Sequence, residues 1–553
     1  MPFRSGFLSA CRFLVLASLP GVVCALPAAT CADCHDQGQK LQASAHASVA
    51  CATCHQQHDA YPHPEGVPKP ACSRCHAAQV GEHAQSVHGL ALKRGNAAAP
   101  DCAVCHGSAH ELAATHTEAF RQKVPETCGM CHTEISQQFL SSVHGKALAQ
   151  GVTQAPVCTD CHGEHSIQAP TNRASLVSPG NIRDTCGRCH GNVRLNNRFG
   201  MPADRVVSFD ASFHGLAVAS GSQTVANCSS CHGVHNILAA ADPHSTINPK
   251  NLPRTCGQCH PGAGTRFALG PVHLWAGRAE PVSVRLVRQS YLVLIPLVIG
   301  LMLLHNLGDW VRKFRKLRWS ATPEPKRLHR PPHQPLRVLP FERLLHVLLL
   351  VSFVVLAWTG FQLKYPEQWW ARPLLSWEAR WSVRGIVHRS AAVVFLLTAA
   401  LHVVSLVVNP QLRRHWMNLW PRYSDVAEAW QSFAYNLGLS SRKPFLSPYS
   451  FMDKAEYWAL VWGGAVMGLS GLLLWANNLA LRWLPKEVLD FATAIHFYEA
   501  VLACLAIVVW HLYLVVFDPD VYPLDTSFLN GQGVREHEPG PAPAPEVPRA
   551  GRW

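Results

Sequence analysis

The string Cys-x-x-Cys-His occurs nine times between residues 31 and 260, and nothing else in the chain limits its fold so strongly. The nine are Cys31, Cys34 and His35; Cys51, Cys54 and His55; Cys72, Cys75 and His76; Cys102, Cys105 and His106; Cys128, Cys131 and His132; Cys158, Cys161 and His162; Cys186, Cys189 and His190; Cys228, Cys231 and His232; Cys256, Cys259 and His260. Two thiols one helical turn apart suit thioether bonds to the two vinyl groups of haem, and the adjacent imidazole suits the proximal iron position. Zinc sites and redox dithiols also use Cys-x-x-Cys, but neither accounts for a His after the second Cys nine times over. Nine covalently bound c-type haems are therefore expected. Of 21 cysteines, 18 are in these motifs, and Cys11, Cys24 and Cys504 lie in apolar segments, which leaves none for a disulfide framework.

The other histidines define a repeat. Odd-numbered motifs are followed by a separate His in a Ser-x-His-Gly-like box: His46, His88, His144 and His214, with His273 as a looser fifth. Even-numbered motifs carry an extra His almost at once: His58, His110, His165 and His235. Five and four make nine candidates for nine distal positions, within a two-haem module repeated four and a half times. His63, His83, His116 and His244 fall outside the pattern and are expected to be ordinary surface or core residues. Sequence order does not say which His caps which iron. Met130 and Met201 are the only methionines in this region, so bis-His ligation and low potentials are expected. Such iron is closed to substrate, which suits a wire better than a reaction centre. With about 29 residues per haem, there is too little protein for an ordinary apolar core, and short helices and loops around the porphyrins are expected.

Arg4 and Arg12 precede an apolar stretch from Phe13 to Cys24, the pattern of a secretory signal or a retained anchor; either exports the Cys-rich region. The formal charge of +13 does not point to nucleic acid, because residues 28–285 hold 19 Lys plus Arg against 17 Asp plus Glu, a balance of only +2. Two propionates on each of nine haems would add up to about −18 to that balance.

Beyond that region lie five apolar segments, each near the length that spans a bilayer: Tyr291–Val311, Glu342–Gln362, Val383–Val408, Ala455–Trp475 and Phe491–Phe517. The loop from Val311 to Pro340 holds nine Lys plus Arg against one acid, Glu324, and so is expected on the cytoplasmic side. Histidine within a span is costly and usually functional. His388 and His402 are 14 residues apart on the third span, and His496 and His511 are 15 apart on the fifth. At 1.5 Å per residue each pair is separated by about 21–22 Å, which suits two stacked haems. His388 with His496 is the expected outer pair; His511 with either His346 or His402 is the inner one.

The strings Phe341-Glu342-Arg343-Leu344-Leu345-His346, His388-Arg389, Ile495-His496-Phe497-Tyr498-Glu499-Ala500 and Trp510-His511, with Pro519-x-x-Tyr522-Pro523, resemble the dihaem cytochrome b subunits of formate dehydrogenases and nickel–iron hydrogenases. The likeness covers roughly residues 340–529. It implies His346 with His511 and His388 with His496 on two haem b groups, leaving His402 spare. Nine c-type haems ahead of such a domain resemble the inner-membrane quinol-oxidising cytochromes of metal-respiring bacteria. Tyr449-Ser450-x-x-Asp453-Lys454 is similar to a family segment near an inner-face quinone site, with Ser450 where Asn is usual.

The expected fold is mainly α: a multihaem c domain with little regular structure, then an all-α transmembrane bundle of five spans with a four-helix dihaem b core. The expected segments are a signal peptide (1–27), a periplasmic nonahaem domain (28–285), a first span with a basic linker (286–340), the dihaem b domain (341–529) and a Pro-rich disordered tail (530–553). The expected role is that of a quinol:cytochrome c-type oxidoreductase in the bacterial inner membrane. It would pass electrons from menaquinol or another membrane quinone to a periplasmic c-type cytochrome or terminal reductase, among membrane lipid and without nucleic acid. No covalent catalytic residue is indicated. Reverse flow into quinone, and a multihaem reductase of nitrite or a sulfur oxyanion, are the competing readings.

Overall fold

A computed structural model describes residues 31–56, 58, 62–63, 65, 70–265, 273, 281–319, 338–374, 377, 383–442, 444 and 449–531. The predicted signal peptide, most of the basic linker and the tail from residue 532 lie outside the described residues. Among those described, regular structure is helical throughout, with no strand. By contacts the chain forms two compact units, one of residues up to 133 with Gly163–Ile167, the other of residues 134–162 and 168 onward.

Short helices dominate the Cys-rich region, because each Cys-x-x-Cys-His motif dictates one turn. The His N–H donates to the carbonyl of the first Cys at 3.0 Å in His35, 2.9 Å in His55 and 2.9 Å in His132. That bond places the two thiols and the imidazole, at i, i+3 and i+4, on one helical face.

Each full Ser-x-His-Gly box is a helical corner. The helices Ala77–Gln85, Thr133–Ser141 and Arg205–Ala211 each stop at a serine, and a second helix starts at once: α1 (Val87–Lys93), α2 (Val143–Ala149) and α3 (Phe213–Ala219). Ser86, Ser142 and Ser212 are N-caps whose hydroxyls accept from the N–H of Gly89, Gly145 and Gly215 at 3.1, 3.1 and 3.2 Å. Glycine is required there by close approach. A Cβ on Gly145 would lie 2.2 Å from the Phe139 carbonyl oxygen, and the same holds for Gly89 on His83 and Gly215 on Phe209. The box thus fixes the His between cap and glycine.

Five long helices are apolar enough to cross a membrane: Val282–Lys316, Pro340–Lys364, Val383–Val408, Phe451–Trp475 and Lys486–Phe517. We label them α4 (Val282–Trp319), α5 (Pro340–Lys364), α6 (Val383–Val408), α7 (Phe451–Trp475) and, after the short α8 (Asn477–Trp483), α9 (Lys486–Ala506). The last continues as π-helix through Ile507–His511 and Tyr513–Phe517. α5 packs on α6 and α7 on α9, while α4 lies against α9. Polar groups tie α4 in: Tyr513 donates to Asp309 at 2.6 Å, and Lys313 binds Asp518 at 2.8 Å.

Candidate haem-binding sites

Every motif histidine in the Cys-rich region faces one other histidine ring. The ring centroids are 6.0 Å apart for His35 and His63, 6.1 Å for His46 and His76, 6.0 Å for His55 and His110, and 6.4 Å for His88 and His132. They are 6.0 Å apart for His106 and His165, 6.2 Å for His144 and His190, and 6.0 Å for His162 and His235. The last two pairs, His214 with His260 and His232 with His273, are each 6.2 Å apart. Two imidazole nitrogens at about 2.0 Å from one metal ion put their ring centroids about 6.3 Å apart. The spacing fits a metal held between two rings in each of the nine cases.

The pairs follow a rule. The box after an odd motif faces the next odd motif: His46 faces His76, His88 faces His132, His144 faces His190 and His214 faces His260. The His just after an even motif faces the preceding even motif: His110 faces His55, His165 faces His106 and His235 faces His162. Backbone bonds hold odd and even boxes together, since the residue before the odd-box His donates to the residue two past the even-box His. These are Ala45 to Leu112 at 2.8 Å, Val87 to Ile167 at 2.9 Å and Val143 to Ile237 at 2.9 Å. At the two ends the rule runs out of modules. His58 has no even-numbered motif before its own to serve; it stands edge-on to His55 and His63, at 4.9 and 5.1 Å. His63, outside the sequence pattern, faces His35 instead. His273 faces His232, which lacks a following even box. His83 donates to or accepts from none of these rings and bonds the Pro100 carbonyl at 3.2 Å.

Successive motifs also abut. The thiols of Cys72 and Cys102 are hydrogen-bonded, as are those of Cys186 and Cys228. Cys231 lies near Cys256, and Cys161 near Cys189. None of the described cysteines is in a disulfide. Burial, then the facing ring, pushes His144 and His232 down to about 4. Both are neutral at pH 7, the form that can give a nitrogen lone pair to a metal.

In the bundle, the His346 and His511 rings lie 6.3 Å apart. His388, near the start of α6, is within electrostatic reach of His496 on α9. Second partners set the tautomers. Thr359 donates to the Val355 carbonyl, so its oxygen accepts from Nδ1–H of His388 at 2.7 Å. Ser470, donating to the Val466 carbonyl, accepts from Nδ1–H of His496 at 2.9 Å. Glu456 accepts from Nδ1–H of His511 at 3.3 Å. Each bond leaves Nε2 free with its lone pair. Gly360 and Gly471 leave space at the two rings, since a Cβ would lie 3.5 Å from His388 and 3.2 Å from His496. His402 differs: its Nε2 is hydrogen-bonded to the Tyr457 hydroxyl at 2.8 Å. His305 bonds the Asn436 side chain through Nε2 at 3.2 Å.

Thr359, Ser470 and Glu456 escaped the sequence reading. For Thr359 and Ser470 the signal was a hydroxyl residue inside an apolar span; Glu456 stands at the start of its span, close to Asp453 and Lys454, and carried no such signal. Beyond the spans, His415 bridges Glu342 at 2.8 Å and Tyr449 at 2.6 Å, and Glu342 holds its pKa above the ordinary value.

Residues 337–524 match the family model described as prokaryotic cytochrome b561. The match covers the spans that carry His346, His388, His402, His496 and His511, and supports transmembrane electron transfer on b-type haem as the function of this region. Together with the five long apolar helices, it makes this an integral membrane protein. No curated protein and no solved structure matches the chain.

Proposed function

We propose that the chain carries electrons from menaquinol or another membrane quinol, across the bacterial inner membrane, to a periplasmic c-type cytochrome or terminal reductase. Bound haem supplies the one-electron chemistry, and the side chains hold, space and shield it. The observation that carries the reading is the set of nine facing imidazole pairs, one for each Cys-x-x-Cys-His motif.

In this reading each motif His is the proximal ligand and the ring it faces is the distal one, so His63 replaces His58 as the ninth distal ligand. His346 with His511 and His388 with His496 hold two haem b groups. His402 stays outside them, its Nε2 already engaged by Tyr457. With imidazole on both sides of every c-type iron, none is open to a small substrate, which favours relay over reduction of nitrite or a sulfur oxyanion.

The test is stopped-flow spectroscopy of the oxidised full chain after addition of a menaquinol analogue, with and without a quinone-site inhibitor. The expected result is inhibitor-sensitive reduction of b-type bands followed by c-type bands. Reduction of the c-type bands by a soluble donor alone, followed by their reoxidation with quinone, would reverse the assigned direction. No response to quinol or quinone would overturn the proposal.

A further inference from the structure

The last Cys-x-x-Cys-His motif meets the membrane bundle through specific side chains. Nδ1 of His260 is 3.0 Å from Oδ1 of Asn478, 218 residues further along and on α8. An amide oxygen can only accept, so Nδ1–H of His260 is the donor. Arg482, four residues after Asn478 on the same face of α8, lies over Gly262, where a Cβ would be 3.1 Å from its Nε. Lys486, which opens α9, lies near His214. The box helix α3, which bears His214, packs on α5. α5 in turn carries Thr359, the hydrogen-bond acceptor for His388. The His214–His260 pair is thus tied by one route to α8 and by another to the helix that orients a bundle histidine.

A hydrogen bond from the distal nitrogen of a metal-bound imidazole fixes the ring and raises its basicity. In haem proteins that bond is one of the levers on reduction potential, because a more basic ligand favours the oxidised iron. In three other cases this partner belongs to the same domain: Ser208 accepts from Nδ1 of His273 at 3.2 Å, and Thr359 and Ser470 serve His388 and His496. At His260 the partner is supplied by the helix between two membrane spans.

We propose that Asn478 is a positioning residue for the c-type haem of the ninth motif, and that the His214–His260 pair is the junction through which the membrane bundle and the Cys-rich chain exchange electrons. The proposal rests on the reading of His214 and His260 as a ligand pair. The Asn478 carboxamide holds the His260 ring from the membrane side, while Arg482 places positive charge beside Gly262, next to the same motif.

Two substitutions move the hydrogen bond in opposite senses. Asn478→Leu removes the acceptor, and Asn478→Asp replaces it with a stronger, charged one. In spectropotentiometric titrations of the full haem-loaded chain, one c-type component of nine should rise in potential in Asn478→Leu and fall in Asn478→Asp. The others should overlay the wild type. The lag between b-type and c-type reduction after menaquinol should lengthen in Asn478→Leu. If Asn478→Leu fails to load haem, the downward shift in Asn478→Asp decides alone. Unshifted components in Asn478→Asp, or a uniform shift of all nine, would overturn the proposal. His214→Ala separates this from the underlying ligand reading. Conversion of one c-type haem to high spin upholds the pair, and an unchanged low-spin spectrum sinks the pair and the proposal together.

Discussion

His58 and His63 lie five residues apart, and only the second faces a motif ring across the gap that an iron would fill. His63→Ala should therefore turn one c-type haem from low to high spin, visible as a high-spin band and a new ligand-binding site for carbon monoxide. His58→Ala should leave all nine haems low spin. Equal spectra for the two variants would show that the ring pairing does not decide ligation. A parallel contrast holds in the bundle. His346 faces His511, whereas His402 spends its Nε2 on Tyr457. His346→Ala should remove one of two b-type haems by pyridine haemochrome assay, and His402→Phe should retain both. Retention in His346→Ala with loss in His402→Phe would exchange their roles.

The helical corner explains why the box has its composition. Ser142 is fully buried and caps α2, so Ser142→Ala should cost about 1 kcal/mol through the lost cap. Gly145→Ala should cost more, about 1–3 kcal/mol or above, because its Cβ has no room beside the Phe139 carbonyl. Gly81→Ala is the control. It sits inside the helix Ala77–Gln85 with nothing within 4 Å of its Cβ, and should be neutral or stabilise by up to about 1 kcal/mol. Thermal unfolding of the holoprotein ranks the three, and a different order would mean that the corner is not what the box encodes. Much of this was legible beforehand. The motifs mark the one-turn helices, the boxes mark nearly all facing rings, and the third span has the same bounds in sequence and structure, Val383–Val408. The pairing order was not legible, because each box serves a motif two places away through contacts such as Val143 to Ile237. Nor was His63 visible. Its place opposite His35 goes with the first module having no predecessor, which is a property of the array and not of any local string.

At the scale of the whole molecule, charge and connectivity give separate tests. The polypeptide alone has a formal charge of +13 and an isoelectric point near 9.0. Eleven haems with two propionates each would add up to about −22, offset by about +1 on each ferric iron–porphyrin core, so isoelectric focusing of the holoprotein should give a value well below 9.0. A value still near 9 would mean far fewer haems are bound. Connectivity is the stricter test. The Cys-rich region holds its nine pairs without help from His388, so His388→Ala should load nine c-type haems and lose one b-type haem. Dithionite, which needs no quinone site, should then reduce all nine c-type haems as in the wild type. Menaquinol should not reduce them at the normal rate, because the bundle is the only route from the membrane that the proposed path provides. The combination matters more than either half. Loss of both responses would mean a folding defect, and survival of both would mean that quinol reaches the c-type haems without the His388–His496 pair. Loss of the quinol response alone is the outcome that a single path through the bundle requires.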